Sequence, residues 1–314
     1  MRIGIVGAGA IGLTFAAALT STHDVIVLAR RPAVAELLGR DGIAIARDTA
    51  LEHIPVRATT DAHAFADRDA VILAVKAYGT TEALVPLRGV LPPHALVASV
   101  QNGLGNVEAA RAALPGARVV AGSTTQGAIN LGDGRLRPSN AGTTTFERSD
   151  DTSPTSDDLA AAFDAAGLAA RVTDDAAAML WRKLVVNAAL NPLCALTARA
   201  NGALVEDADA ELIARGLASE AAAVARAEGV DAGDGWHTVE AAARTSAANR
   251  NSMLQDLDAG RPTEIEAISG AIVHRAHAHG IAVPLTETVL HLMRARERAP
   301  HEQAPREPRR GTNA

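Results

Sequence analysis

A glycine-rich turn near the amino end constrains the fold of this chain more than any other feature. The apolar run from Arg2 to Val6 leads directly into the sequence GAGAIG, and a helical stretch from Leu13 to Leu19 follows. A strand, a glycine turn and a helix in this order open a dinucleotide-binding unit. The glycines permit a tight turn, a close approach of backbone to a pyrophosphate and packing of the helix on the strand, and the first helix amides face the phosphates. The predicted contact residues are Gly7, Ala8, Gly9, Ala10, Ile11 and Gly12.

The end of the second predicted strand indicates which dinucleotide binds. The strand from Asp24 to Ala29 is followed by Arg30, Arg31 and a proline. Folds that prefer NAD usually carry Asp or Glu here, about twenty residues after the glycines. A carboxylate would repel an adenosine 2′-phosphate, whereas guanidinium groups pair with it. We therefore expect NADPH or NADP, held by Arg30 or by Arg31. The alternative is that both arginines are solvated in a surface loop.

Two polar residues follow further predicted strands. Lys76 comes after the apolar run 69–75, and Asn102 comes shortly after the run 95–100. The carboxyl ends of parallel strands meet at one edge of the sheet, where ligands bind. An asparagine amide can donate and accept hydrogen bonds at once. Both side chains are therefore expected in the cofactor crevice, although each could also be a turn residue.

The hydrophobic pattern changes near residue 173. Strand-like runs continue up to that point, and segments 43–45 and 53–56 predict an edge hairpin or separate extended pieces. From Asp174 onward, alanine-rich periodicity predicts helices at roughly 174–191, 207–228, 236–258, 263–280 and 286–298. The expected fold is α/β, with a Rossmann domain over residues 1–173 and an all-α domain over 174–298. Residues 299–314 have no apolar period and are predicted to be disordered.

One predicted helix carries an unusual polar face. Lys183, Asn187 and Asn191 recur every four residues, so they lie on one side of the helix. Pro192 is then expected to end or kink the helix. The alternative is a solvated face, but such faces usually carry Glu and Lys. One cation and two amides without an acid suit an anionic ligand with a carbonyl group, and Asn201 could bring a third amide to it.

A glutamate further along has no evident structural task. Thr263 is predicted to be a helix N-cap, with Glu266 at the position of a capping box. That assignment explains Glu266 and leaves Glu264 available for another role.

Composition excludes several other classes of protein. A formal charge of −6 argues against nucleic acid as the main partner, because phosphate binding needs a basic surface. The single cysteine, Cys194, cannot form an internal disulfide, and we find no signal peptide or transmembrane run, so a cytoplasmic protein without membrane attachment is expected. His274 and His277 share a helix face, but no acid or cysteine completes a metal site beside them, and none is predicted.

Seven stretches together give the chain a family resemblance. They are GAGAIG, the arginine after the second strand, VKAYGT, QNGLGN, WRKLVVNAALNP, NSMLQDLDAGRPTEIEAISG and VPLTETV. The chain resembles the ketopantoate reductases (2-dehydropantoate 2-reductases) over nearly its whole length. The resemblance implies a Rossmann domain followed by an all-helical domain of the 6-phosphogluconate dehydrogenase C-terminal type, often dimeric. It also implies transfer of hydride from NADPH to a 2-keto acid.

The resemblance assigns roles to individual residues. Lys183 would protonate the carbonyl oxygen, and Glu264 is the second catalytic candidate. Residues implied to approach the cofactor are Lys76, Asn102, Ala128 and Glu264. Residues implied to hold the substrate are Asn102, Lys183, Asn187, Asn191, Asn201, Asn249 and Ser252. The chemistry agrees, since ketone reduction places negative charge on oxygen and a partly desolvated lysine has a lowered pKa.

Three functions are compatible with these residues. The first is reduction of ketopantoate to pantoate in pantothenate biosynthesis. The second is a reductase of the same fold that acts on another branched or hydroxylated 2-keto acid. The third is a non-catalytic NADP-binding sensor, which the pairing of Lys183 with Glu264 disfavours because a sensor needs no placed acid. The motifs bind the keto-carboxylate end, and the sequence does not locate the surface that binds the rest of the substrate.

Overall fold

The computed structural model of the chain describes residues 1–47 and 50–299. The strands are β1 (Arg2–Val6), β2 (Asp24–Leu28), β3 (Ile43–Arg47), β4 (Ala50–Ile54), β5 (Arg57–Thr59), β6 (Ala70–Leu73), β7 (Leu96–Ser99), β8 (Arg118–Thr124), β9 (Gly127–Gly132), β10 (Arg135–Asn140), β11 (Thr144–Glu147) and β12 (Ala170–Thr173). The α-helices are α1 (Ala10–Leu19), α2 (Pro32–Asp41), α3 (Thr80–Leu84), α4 (Asn106–Ala113), α5 (Ser156–Ala165), α6 (Ala176–Thr197), α7 (Ala203–Glu206), α8 (Ala208–Ala227), α9 (Gly235–Thr245), α10 (Ser252–Asp258), α11 (Ala271–Ala278) and α12 (Pro284–Arg298).

An eight-stranded sheet forms the centre of the first domain. Its strand order is β12-β11-β8-β7-β6-β1-β2-β5, and the neighbours are parallel except for β8 and β11. All four residues of β6 and of β7 are buried, as expected of parallel strands covered on both faces. The carboxyl ends of β1, β2, β6 and β7 therefore open at one edge, where the glycine turn lies. This sheet confirms the Rossmann prediction.

A second sheet of four strands has the order β4-β3-β10-β9. Strands β3 and β4 are antiparallel, so the hairpin was the right alternative for this segment. The hairpin of β9 and β10 joins it through a parallel pairing of β10 with β3.

Helix α6 is the central helix of the second domain. Its Leu184, Val185 and Ala188 are buried in a core shared with α8, α9, α10 and α12. Alanine supplies much of this core, and its small side chain lets helices approach closely. The all-helical prediction is confirmed for the part of the chain that the structure describes. Strand β12 ends at Thr173 and α6 begins at Ala176, and the division at residue 173 stays a prediction.

Two helix boundaries differ from the prediction. A single helix over 236–258 is wrong, because α9 ends at Thr245 and α10 begins at Ser252. Asn251 makes the new start, since its side chain accepts a hydrogen bond from the amide of Leu254 at 3.1 Å. Pro192 does not end α6, which continues to Thr197.

The predicted capping box at Thr263 and Glu266 is also wrong. Thr263 Oγ1 accepts from the amide of Ile265, and Glu266 pairs instead with Arg294 at 2.6 and 2.7 Å. Residues Glu266–Gly270 form a π-helical segment that leads into α11. The tail prediction for 299–314 concerns residues that, from 300 onward, lie outside the described residues. Within the described ranges, no helix is long and apolar enough to cross a membrane.

Candidate active site

A cleft of about 1810 Å³ lies between the two domains. The sheet edge and the glycine turn form one side of it, and helices α6, α9 and α10 form the other. The sequence-predicted residues that line it are Gly7, Ala8, Gly9, Ala10, Ile11, Arg30, Arg31, Lys76, Asn102, Ala128, Lys183, Asn187, Asn191, Asn201, Asn249, Ser252 and Glu264. Gly12 does not line the cleft. The structure thus brings together residues that are widely separated in the sequence.

The glycine turn has the geometry of a pyrophosphate cradle. Gly7 has φ +116°, in the region that favours glycine. A Cβ atom at Gly12 would overlap the carbonyl oxygen of Gly7, so this glycine packs α1 against the turn. A Cβ at Gly9 would come no closer than 3.9 Å to Ala74, which leaves the space beside the backbone open. Among the described residues, no side chain caps the start of α1, so its first amides are available to an anion.

Arg30 and Arg31 lie at the end of β2, where the sequence predicted a phosphate contact. Both side chains are exposed, and neither has an ion pair or side-chain hydrogen bond with any described residue. Arg31 occupies the N-cap position of α2 and Pro32 opens the helix. Two unpaired guanidinium groups beside a pyrophosphate cradle are suited to a 2′-phosphate.

Two buried carboxylates hold the lysine at the end of β6. We call Lys76, Asp256 and Glu264 the carboxylate cluster. The Nζ of Lys76 donates to Asp256 at 2.6 Å and lies 3.5 Å from Glu264. Asp256 is 2% exposed and Glu264 is 6% exposed. Burial disfavours the charged lysine, but Glu264 and Asp256 outweigh it and hold the pKa of Lys76 above its usual value.

Glu264 also accepts hydrogen bonds from the sheet edge. Its two oxygens accept from the backbone amide of Ala77 and from Nδ2 of Asn102, both at 3.0 Å. This glutamate from the helical domain therefore fixes both polar residues that the sequence placed at the strand ends. Glu264 therefore does not cap a helix, and its hydrogen bonds connect the helical domain to the sheet domain.

Asp256 is a site residue that the sequence reasoning did not identify. It lies on α10 one turn after Ser252, so the two share a helix face. Arg261 donates to the other carboxylate oxygen of Asp256 at 3.0 and 3.1 Å, so both oxygens of Asp256 accept hydrogen bonds. The spacing of four from Ser252 was a signal, but an acid on a helix is usually a solvated residue, and only the fold shows its partner.

The second group in the cleft is the amide stripe, which we define as Lys183, Asn187 and Asn191. None of its side chains has a hydrogen-bond partner in the described part of the chain. Asn191 is only 5% exposed and still lines the cleft. Burial lowers the pKa of Lys183 to about 8, and Glu264 opposes this shift. Lys183 and Asn187 are partly exposed in the cleft, so the stripe presents polar groups that are free to bind a ligand.

The remaining predicted substrate residues differ in what they contact. The amide of Asn201 donates to Ser246 Oγ at 2.8 Å and accepts from Asn251 Nδ2 at 3.2 Å, so it fixes the loop after α9. Asn249 and Ser252 lie in and beside that loop and line the cleft. Ala128, on β9, lines the cleft from the sheet side.

Two other features from the sequence lie outside the site. Cys194 is fully buried, and burial raises the pKa of its thiol to about 12, as expected of an inert core residue. His277 lies 2.7 Å from Glu287 in a surface pair. The described ranges contain no group of three or more potential metal ligands.

Comparison with known proteins identifies relatives of both domains. The family model described as ketopantoate reductase PanE/ApbA matches residues 3–151, and the model for the C-terminal part of the same family matches residues 175–297. The chain is 34% identical to a 2-dehydropantoate 2-reductase of Halobacterium salinarum, over 95% of this chain and 99% of that one. It is also 34% identical to the 2-dehydropantoate 2-reductase of Archaeoglobus fulgidus, over 94% and 98% of the two chains.

Solved structures show the same arrangement of domains. A ketopantoate reductase from Ralstonia eutropha superposes with a TM-score of 0.86 at 33% identity and covers 95% of this chain and 98% of its own. A D-mandelate dehydrogenase in a ternary structure with NADH and anilino(oxo)acetate superposes with a TM-score of 0.88 over the same shares, at 24% identity. The second likeness shows a shared fold. The sequence matches, which extend over both domains, show that the chain belongs to the ketopantoate reductase family.

Proposed function

We propose that this protein reduces 2-dehydropantoate to pantoate, with hydride from NADPH and a proton from Lys183. The observation that carries the proposal is the amide stripe. A lysine with a lowered pKa and two unpaired amides line a cleft whose other side is a dinucleotide cradle. These three side chains have no hydrogen-bond partner among the described residues, so they are free to bind a substrate.

The proposed reaction needs one hydride and one proton. The nicotinamide cofactor, when bound, supplies the hydride to the keto carbon. The carbonyl oxygen then carries negative charge, and Lys183 Nζ donates a proton to it and becomes neutral. With a pKa of about 8, Lys183 is protonated at neutral pH and still gives up its proton readily. It regains a proton from solvent before the next turnover.

The residues of the sheet edge fit the proposed cofactor. Backbone amides of residues 8–11 would hold the pyrophosphate, and Arg30 or Arg31 would pair with the 2′-phosphate of NADPH. Lys76, Asn102, Ala128 and Glu264 would border the cofactor further into the cleft. Asp256 holds Lys76 in place for this task, and Glu264 holds Asn102.

The residues of the helical side fit a 2-keto carboxylate. Asn187 and Asn191 would donate to the substrate's oxygens from the same helix face as Lys183. Asn249 and Ser252 would add polar contacts from the loop before α10. Asn201 would act on the substrate through this loop, because its own amide is already bonded.

A second candidate is reduction of a different 2-keto acid. The fold is shared with a D-mandelate dehydrogenase whose structure holds NADH and anilino(oxo)acetate, so the fold alone decides neither the acid nor the nicotinamide cofactor. The residues that would contact a keto-carboxylate suit any member of this substrate class.

Steady-state kinetics with a panel of 2-keto acids, each with NADPH and with NADH, test the proposal. We expect ketopantoate with NADPH to give the highest kcat/KM. A higher value for another acid would favour the second candidate. Arg30→Ala or Arg31→Ala should lower kcat/KM with NADPH by about tenfold or more, while leaving the rate with NADH nearly unchanged. Equal losses with both cofactors would contradict the NADP assignment.

We also propose that the protein forms a homodimer through the helical domain and acts in the cytoplasm. The exposed apolar side chains of Leu212, Leu285 and Leu292 on α8 and α12 support an association surface. Light scattering coupled to size-exclusion chromatography should give twice the mass of one chain, and a monomeric mass would contradict the dimer.

A further inference from the structure

One face of helix α9 lines the cleft with small side chains. We call Thr238, Ala241, Ala242 and Thr245 the α9 wall; their spacing of three, four and seven residues places them on one side of the helix. Thr238 and Thr245 donate their hydroxyl protons to backbone carbonyls four residues earlier, at 2.9 and 2.7 Å. The wall contains no charged side chain, and its donors are already used. It therefore offers the cleft mainly methyl groups.

The amide stripe and the α9 wall line the same cleft from neighbouring helices. Helices α6 and α9 pack together. Val186, which directly precedes Asn187 on α6, also lines the cleft. Asn191 is 95% buried on this surface, and it has no hydrogen-bond partner among the described residues. On α6 the cavity therefore presents polar groups without hydrogen-bond partners among the described residues. On α9 it presents a nonpolar surface. A 2-keto acid has the same division, with a polar keto-carboxylate and an aliphatic remainder.

We propose that the α9 wall, together with Val186, receives the side chain of the 2-keto acid and determines which acids are reduced. This inference rests on the proposed function and adds the specificity surface to it. When the keto-carboxylate is bound by the amide stripe, the substituent on the keto carbon is left beside methyl groups. Small residues at every position of the wall leave room for a branched aliphatic side chain. A larger residue at one of these positions would exclude a substrate with a branched side chain and would still admit a substrate with a methyl group.

Two variants with opposite effects on cavity size test the inference. Ala242→Leu narrows the space, and the ratio of kcat/KM for ketopantoate to kcat/KM for pyruvate should fall by about tenfold or more. Val186→Ala widens the space, and the ratio for phenylglyoxylate over ketopantoate should rise by about threefold or more. His237→Leu is the matched control, because it places a leucine on the exposed face of the same helix, away from the cleft. It should keep the wild-type ratios.

The outcomes separate this inference from the function on which it rests. If Ala242→Leu and Val186→Ala change the rates for all acids by equal factors, the α9 wall does not contact the side chain and the inference is overturned. A shift of the ratios in His237→Leu equal to that in Ala242→Leu would also overturn it, since the effect would then not come from the cleft. If the wild-type protein binds NADPH but reduces none of the acids, the proposed function fails and the specificity surface fails with it.

Discussion

The chain contains two lysines, Lys76 and Lys183, and both line the cleft in opposite electrostatic surroundings. Lys76 lies within 3.5 Å of two buried carboxylates, which hold its pKa above the usual value. Lys183 has no hydrogen-bond partner in the described ranges, and burial lowers its pKa to about 8. The same side chain thus stays charged on the sheet side, and we propose that it donates a proton on the helical side.

In our proposal, this difference gives the two lysines different functions. A lysine that must hold an anion or a cofactor needs to stay charged, and neighbouring carboxylates ensure this. A lysine that must donate a proton needs a pKa near the working pH, and partial burial without a fixed partner provides this. In our account, Lys76 has a positioning role beside the cofactor, and Lys183 donates the proton.

Lys183→Ala gives the largest expected effect. Without the acid, the developing negative charge on oxygen has no donor, and kcat should fall by about a thousandfold. Binding of NADPH, measured by fluorescence titration, should remain close to that of the wild type because the residue lies on the helical side. Near-normal turnover in a variant that still binds NADPH would disprove the assignment.

Lys76→Met should act mainly on cofactor binding and stability. Removal of the cation leaves two buried carboxylates with fewer partners, so the free energy of unfolding should fall by about 2 kcal/mol. The KM for NADPH should rise by about tenfold, with a smaller change in kcat. Denaturant unfolding and steady-state kinetics measure the two effects. A loss in kcat as large as that of Lys183→Ala would remove the distinction between the two lysines.

Glu264→Gln tests the link between the two lysines. The glutamate raises the pKa of Lys183, so its neutralisation should lower that pKa. The reduction rate falls as Lys183 loses its proton, and this decline should begin at lower pH in the variant than in the wild type. The value of kcat/KM should also fall by about tenfold, since Ala77 and Asn102 lose a charged acceptor. An unchanged pH profile would show that Glu264 does not act on Lys183.

Lys183→Met gives the smallest expected effect, an increase in stability. Since the native pKa is lowered, the folded state disfavours the charged lysine relative to the unfolded state. This cost is fully present at pH 7 and disappears as pH rises through about 8 toward 10.5. The variant should therefore unfold about 3 °C higher at pH 7, with a smaller difference at pH 9.5. A lower unfolding temperature at pH 7 would show that the charged lysine is stabilised by contacts.

The sequence predicted the amide stripe better than the carboxylate cluster. Lys183, Asn187 and Asn191 lie within three turns of one helix, so helical periodicity alone places them together. Lys76 and Asp256 are 180 residues apart, and no local rule pairs them. The glycine turn was predictable because its function depends on adjacent residues.

The predictions that were wrong concern two helix boundaries, where a side-chain contact replaced the structure that the local sequence pattern favoured. Asn251 begins a new helix with its side chain, which interrupts the alanine-rich pattern that favoured one long helix. Glu266 meets Arg294 from another helix, and this pairing replaces the predicted cap. The proposed substrate surface on α9 was not predictable, because small apolar residues on a helix face usually pack in a core.

A direct test of the central claim is an NMR titration of protein labelled with ¹³C at the lysine Cε. Because the chain has two lysines, the spectrum should contain two side-chain signals, which Lys76→Met and Lys183→Met assign. We expect the signal of Lys183 to titrate at a pH of about 8 and that of Lys76 to titrate above the usual value for lysine. Two signals that titrate together near pH 10.5, or the reverse order, would contradict the division between a positioning lysine and a reacting one.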